Sequence, residues 1–419
     1  MKSNYDCIVV GGGPAGSSTA TILAQAGCDA LLLEREKFPR FHVGESLMPE
    51  VYWPLERLGM LDKMKQSNFV KKVSVQFVTN TGKQSSPFFF KMHDPRESSQ
   101  TWQVERAEFD QMLFDNAKEH GADCFDETRV LNVLMDGEQA VGVTVKTATG
   151  ETKEIRARVV VDATGQSTVI ANQLRIKEDD PDLQKIAVWT YYKNAARDEG
   201  ENGGATIIMH TEKKDSWFWF IPLSNNITSI GVVGDRDYIL QNQRTPEKIY
   251  EDELSICPGL QQRLMDAERV EKHHVAKEFS YKTTQHSGPG WVLTGDAFGF
   301  IDPIYSSGVY FALVSGEKAA DCIVEGLKNN DLSAEQLGSW TGDFKGGSNL
   351  VRKLVDAFYN DSFSFGKFMK THPQHVGSLT DLLIGRIFHE SAGNIFDDMD
   401  PWLAEVQEKM KAMSNKSDA

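Results

Sequence analysis

The stretch GGGPAG, residues 11–16, has the spacing G-x-G-x-x-G. Glycine permits a tight turn at Gly11, lets a phosphate approach the backbone at Gly13, and lets a helix pack close to a strand at Gly16. Pro14 and Ala15 open that helix, whose first N–H groups favour an anion. Glu34 ends the next apolar run, where a carboxylate can accept from a ribose hydroxyl, with Arg35 beside it. Much later, Gly295-Asp296 directly follows the run WVLT, with Gly299 just beyond. That acid can face a polyol chain, while amides of the next helix face a ring system. Together these residues describe the chemistry of holding a dinucleotide. Two further features could act on a second molecule: the adjacent lysines Lys71 and Lys72, and the run WFWFIP at 217–222. A desolvated lysine amine has a lowered pKa and can serve as donor or nucleophile.

For the glycines to work, YDCIVV (5–10) must be a strand, STATILAQ a helix stopped by Gly27, and ALLLE (30–34) a second strand. That is a βαβ unit. VVVDATG (159–165) and WVLTGD (291–296) each read as a strand entering a turn. The expected fold is α/β: a Rossmann-like domain of the two-dinucleotide-binding-domain type, assembled from residues 1–70, 100–168 and 280–330. Residues 71–99 and 169–279 form an antiparallel β-sheet layer on the substrate side, from runs such as IAVWTYY, ATIIMH, WFWFIP and TSIGVVG. Ser224-Asn225-Asn226 predicts a hairpin between the last two. Residues 331–419 read as a C-terminal helical region. Alternation puts Trp217, Trp219 and Ile221 on one face of their strand and Phe218 and Phe220 on the other, so the strand is buried on both sides. Such rings serve equally as core and as the wall of a site. By the same alternation, Lys71 and Lys72 face opposite ways.

Composition excludes several classes. Lys+Arg number 45 against 60 Asp+Glu, a net charge of −15, which argues against nucleic acid as a partner. The five cysteines are scattered with no CxxC, so neither a disulfide framework nor a zinc site is expected. Among the histidines, His42, His273 and His274 included, no pair comes with a third ligand in sequence, and no metal is expected. No signal peptide and no apolar run long enough to span a bilayer are read, and a cytoplasmic location is the expectation. A second G-x-G-x-x-G is lacking, so no dedicated NAD(P)H domain is expected.

The glycine cradle, VVVDATG, RAEFDQML (106–113) and GDAFGFIDP (295–303) together resemble the FAD-dependent monooxygenases and reductases. In that family an arginine at the position of Arg106 contacts FAD. Four segments narrow the resemblance to the flavin-dependent halogenases of the phenol and pyrrole type. These are FPRFHVGESLMP (38–49), FVKKVSVQF (69–77), WFWFIP and DPIYSSGVYFAL (302–313). The resemblance implies that FAD is held by Gly11, Gly13, Pro14, Ala15, Gly16, Glu34, Arg35, Arg106, Asp296, Gly299 and Gly308. Chloride or bromide would lie on Ser307 and Gly308. Trp217, Trp219, Ile221 and Pro222 would wall the active site. Lys72, spaced between Phe69 and Phe77, would be the catalytic lysine. A separate flavin reductase would supply FADH2, and the halide would become hypohalous acid that reaches an electron-rich aromatic substrate, free or tethered to a carrier protein. Tyr305 stands where tryptophan halogenases carry a glutamate, which turns the expectation toward phenols and pyrroles, rings needing less help from a base. A geranylgeranyl reductase-like oxidoreductase, a flavin hydroxylase, and a flavoprotein that binds without turnover are the alternatives. The turn DATGQSTVI lacks the Asp-Gly and trailing Arg of hydroxylases that bind NADPH directly.

Overall fold

The computed structural model describes residues 1–360 and 363–417. Its centre is a sheet whose strands run in the order Ser287–Gly288, Trp291–Leu293, Thr152–Asp162, Asn4–Val10, Ala30–Leu33 and Asp123–Phe125. Asn4–Val10 pairs in parallel with both Ala30–Leu33 and Thr152–Asp162. These strands are continuous Val/Ile/Leu runs, as a parallel sheet covered on both faces requires. Helix Pro14–Gln25 connects the first two and packs against the 22-residue helix Gly308–Asn329. Strands Arg129–Asp136 and Gln139–Lys146 extend this sheet as an antiparallel meander from the outer half of Thr152–Asp162.

A second sheet runs Gly299–Phe300, His274–Thr283, Lys177–Lys193, Ile227–Asp235, Ser216–Pro222, Thr206–His210, Ser74–Val78 and Phe88–Phe89. It is antiparallel as expected save at one joint, where Thr206–His210 and Ser74–Val78 pair in parallel. The hairpin at Ser224–Asn226 is present, with Asn225 and Asn226 both at positive φ. Strand Ser216–Pro222 is buried throughout. Trp217, Trp219 and Ile221 join the main core, while Phe218 and Phe220 join a separate core beneath helix Pro246–Ser255. Gly231 lies opposite Trp219 in register, and a Cβ there would come within 2.3 Å of the indole, so only glycine leaves room for that ring.

Strand Val70–Lys72 belongs to neither large sheet. It pairs with Thr101–Gln103 in a two-stranded ribbon, Lys72 opposite Thr101. Beyond residue 331, the helices Thr341–Phe358, Phe365–Thr371, Val376–Ile384 and Phe396–Ser417 form the C-terminal region. There the fold supplies what sequence spacing could not. His372, His375 and Asp398 converge with their ligand atoms within 4.8 Å of one another. Among the described residues no helix is long and apolar enough to cross a membrane.

Candidate active site

A cavity of about 690 Å³ opens between the two sheets, within the size range of ligand pockets. At one end lies the glycine cradle. Gly11 has φ +108°, and a Cβ on it would meet the Ala163 carbonyl oxygen at 2.3 Å; a Cβ on Gly16 would meet the Gly11 oxygen at 1.9 Å. The turn and the close packing are therefore both real steric demands. At Gly13 a Cβ would meet only the Arg40 guanidinium, at 3.5 Å, and at Gly308 it would meet nothing within 4 Å. Those two positions leave open backbone where a pyrophosphate and a ring system can approach, and the residues present fit FAD.

Glu34 lines the cavity while its two oxygens accept from the backbone N–H groups of Gly12 and Glu36, each at 3.0 Å. It therefore braces the glycine turn as well as facing the site. Arg35 stands at the cavity wall and donates to Ser167 Oγ at 3.1 Å. Arg106, buried at the start of helix Arg106–Glu119, forms two hydrogen bonds to Asp110 and donates to the carbonyls of Val43 and Gly44. It ties the segment Phe38–Pro49 to the domain and also faces the cavity. Asp296 lines the cavity too, and burial pushes its carboxyl up to about 6.

Four of the expected cofactor, halide and wall residues do not line the cavity: Gly16, packed against Gly11, and Gly299, Ser307 and Pro222. Gly299 pairs with Lys282 in the second sheet and does not line the cavity, whereas its neighbour Phe300 does. Ser307, buried at the N-terminus of helix Gly308–Asn329, is not in the lining; Ser306, in the left-handed region at φ +60°, and Gly308 are. Pro222 follows the Phe218 and Phe220 face and ends the strand, because alternation carries it away from the wall formed by Trp217, Trp219 and Ile221.

Lys72 is 2% exposed and Lys71 is exposed. Lys72 Nζ donates to Ser46 Oγ at 2.8 Å and to the Leu47 carbonyl at 2.9 Å. Ser46 Oγ lies 2.8 Å from Thr206 Oγ1, which also accepts from Gln103 Nε2. Both hydrogen-bond partners of the lysine are neutral and the Phe90 ring lies 6.0 Å from Nζ, so burial pushes the ammonium down to about 7. Lys72 borders a pocket of about 10 Å³, room for about one water molecule. That pocket shares Thr206, Ile208, Ile304 and Ser306 with the large cavity, so only a thin wall separates lysine from cavity. Tyr305 and Leu383 close its far side, and Tyr305 donates to the Leu354 carbonyl.

The aromatic wall is held from behind. Trp219 Nε1 donates to Ser229 Oγ at 3.1 Å. Trp217 Nε1 donates at 3.0 Å to the hydroxyl of Tyr359, which donates at 3.0 Å to Asp302. Burial pushes the Asp302 carboxyl up to about 6. Sequence reasoning missed Tyr359, Arg40, Ser46 and Glu45. Glu45 lines the cavity, accepts from the Tyr191 hydroxyl at 2.7 Å, and is raised above the usual carboxylate range by burial. An acid followed by a hydroxyl just ahead of the apolar run LMP, in GESLMP, was the available signal for Glu45 and Ser46.

The FAD-binding domain family matches residues 4–314. The chain is 30% identical over 424 residues to the 1H-pyrrole-2-carbonyl-[peptidyl-carrier protein] chlorinase of Pseudomonas fluorescens, covering 96% of this chain and 94% of that one. It is 32% identical to the corresponding brominase of Pseudoalteromonas luteoviolacea, with 88% of each covered. Among solved structures, the flavin-dependent brominase Bmp2 superposes with a TM-score of 0.84 at 30% identity, over 99% of this chain and 100% of that one. The chain belongs to the FAD-binding domain family and, within it, to the flavin-dependent halogenases.

Proposed function

We propose that this protein halogenates a pyrrolic or phenolic ring, using Lys72 as the residue that delivers the halogen. The observation carrying the proposal is a buried lysine with only neutral partners, separated by four shared wall residues from a cavity that fits FAD. When bound in reduced form, FAD supplies, with O2, the oxidising power that turns chloride or bromide into hypohalous acid. Gly11, Gly13 and the N-terminus of helix Pro14–Gln25 hold the pyrophosphate, Glu34 the ribose, and Asp296 the polyol chain. Arg35 stands at the cavity wall and Arg106 anchors the strap. Ser306 and Gly308, with the amides opening helix Gly308–Asn329, are the halide's contacts.

Trp217, Trp219 and Ile221 keep an organic substrate away from the flavin end, so that the small oxidant moves and the substrate does not. Lys72, as ammonium, donates a hydrogen bond to the oxygen of hypohalous acid. The ring carbon takes the halogen, the oxygen leaves as water, and the ring loses a proton. Tyr305 beside the lysine offers no carboxylate base, which favours rings that shed that proton readily. The two pyrrole-acting relatives favour a carrier-bound acyl substrate.

The test is product formation from free and carrier-bound pyrrole and phenol with a supplied flavin reductase, in chloride, in bromide and without halide. Halide-dependent product is expected, and NADPH without the reductase should bleach bound flavin only slowly. Fast bleaching by NADPH alone, with hydroxylated product, would replace this reading with a hydroxylase.

A further inference from the structure

His372 ends helix Phe365–Thr371, and His375 closes the turn that leads into helix Val376–Ile384. Asp398 sits in the first turn of helix Phe396–Ser417. One oxygen of Asp398 lies 2.7 Å from His375 Nε2 and 3.3 Å from His372 Nδ1, and the Gln374 amide nitrogen is 3.2 Å from the same oxygen. His375 is 10% exposed at the side chain, His372 22% and Asp398 42%, so one side of the group remains open to water.

The chemistry of this convergence is unusual. A neutral imidazole carries one N–H and one lone pair. His375 Nε2 faces the carboxylate, and the Gln374 amide nitrogen that faces the same oxygen also lies 3.4 Å from His372 Nδ1. Two imidazoles and one carboxylate, from elements 23 residues apart in sequence, form an N/N/O donor set. Such a set suits borderline divalent ions of the zinc type, which take three protein ligands and complete their shell with water. The hard ions Ca2+ and Mg2+ prefer all-oxygen shells.

The rings are also pre-oriented. Phe368 stacks on His372 at 4.9 Å between centroids and lies near-parallel to His375 at 6.1 Å, and Trp402 meets His372 edge-on at 5.6 Å. Packing of this kind fixes ligand rotamers before an ion arrives.

We propose that His372, His375 and Asp398 bind one divalent transition-metal ion of the zinc class, which staples helix Phe396–Ser417 to the start of helix Val376–Ile384. The second of those helices carries Leu383 to the lysine pocket. The ion is structural and takes no part in halogen chemistry.

The test uses full-length, untagged, FAD-loaded protein stripped with a chelator. Co2+ is titrated by visible absorption and Zn2+ by competition with a chromogenic chelator. One equivalent of either ion is expected to bind, with quenching of Trp402 by Co2+ that disappears in Trp402→Phe. His372→Gln and Asp398→Asn keep polar groups of similar size in place and should retain FAD. Each should weaken binding by about a hundredfold or more, since losing a mere supporting partner already costs about 10–100-fold. Absence of stoichiometric binding in the wild type, or wild-type affinity in both variants, would overturn the site. A hydrogen-bonded cluster of His372, Gln374 and His375 around Asp398 would then be the whole of it.

Discussion

Lys72 Nζ and Ser46 Oγ, 2.8 Å apart, join the ribbon Val70–Lys72 to the strap that Arg106 anchors beside the cavity. The lysine is thus positioned by the segment that borders the flavin site. It holds its charge with two neutral acceptors and the ring of Phe90, which is the condition for an ammonium that gives up its proton near neutrality.

Replacing Lys72 by Ala should abolish halogenation while leaving FAD content and FADH2 oxidation by O2 intact. Hypohalous acid or hydrogen peroxide should then escape, which a chlorination-sensitive dye or a peroxidase assay would register. Lys71→Ala should be nearly silent, because that side chain points to solvent. Wild-type rates in Lys72→Ala would remove the lysine from the mechanism.

The same lysine makes stability depend on pH. Its folded pKa, about 7, lies below its unfolded value of 10.5. Between those values the unfolded chain holds a proton that the folded protein has released, so stability rises with pH across that window. Below about 7 the folded state carries the full cost of a buried charge. Lys72→Met should therefore be most stabilising relative to wild type near pH 6, with the advantage shrinking by a few kcal/mol toward pH 10. Urea unfolding at three pH values measures it, and a difference that does not vary with pH would contradict the account.

Glu34→Ala should weaken FAD binding by about 1.5–3 kcal/mol, the range for hydrogen bonds to a charged group. Because Glu34 also accepts from Gly12 and Glu36, the apoprotein should lose stability as well. Flavin fluorescence on titration, alongside thermal unfolding without FAD, separates the two effects. An unchanged affinity would dismiss the ribose contact.

Tyr359→Phe should leave Trp217 Nε1 without its acceptor, at a cost of about 1–3 kcal/mol in stability. Halogenated product per FADH2 consumed should fall, with FAD affinity unaltered, as the indole loses its fixed orientation. Product and peroxide yields measured together give the ratio, and an unchanged ratio would mean that packing alone holds the wall.

The βαβ unit was readable because Gly11 and Gly16 each answer a steric demand, a clash below 2.5 Å, while Gly13 leaves the backbone open to a phosphate. The alternation in WFWFIP was readable because a strand has only two faces. What could not be read was convergence. Tyr359 reaches Trp217 across 142 residues, and Asp398 reaches His375 across 23, with no local pattern to announce either. Gly299, Ser307 and Pro222 fall outside the cavity lining for a smaller reason. Each sits one residue from a position that does face the cavity, and in a turn or a strand one residue reverses direction.

Strand Ser216–Pro222 separates two cores, and this has a bearing on how such an enzyme could be retuned. Phe218 and Phe220 never meet the cavity, yet they set the height at which Trp217 and Trp219 stand, and Gly231 sets how far the second indole sinks. The shape of the cavity wall is therefore adjustable from the far side. A smaller residue at Phe220 would let the wall settle outward, whereas any side chain at Gly231 would displace the Trp219 ring.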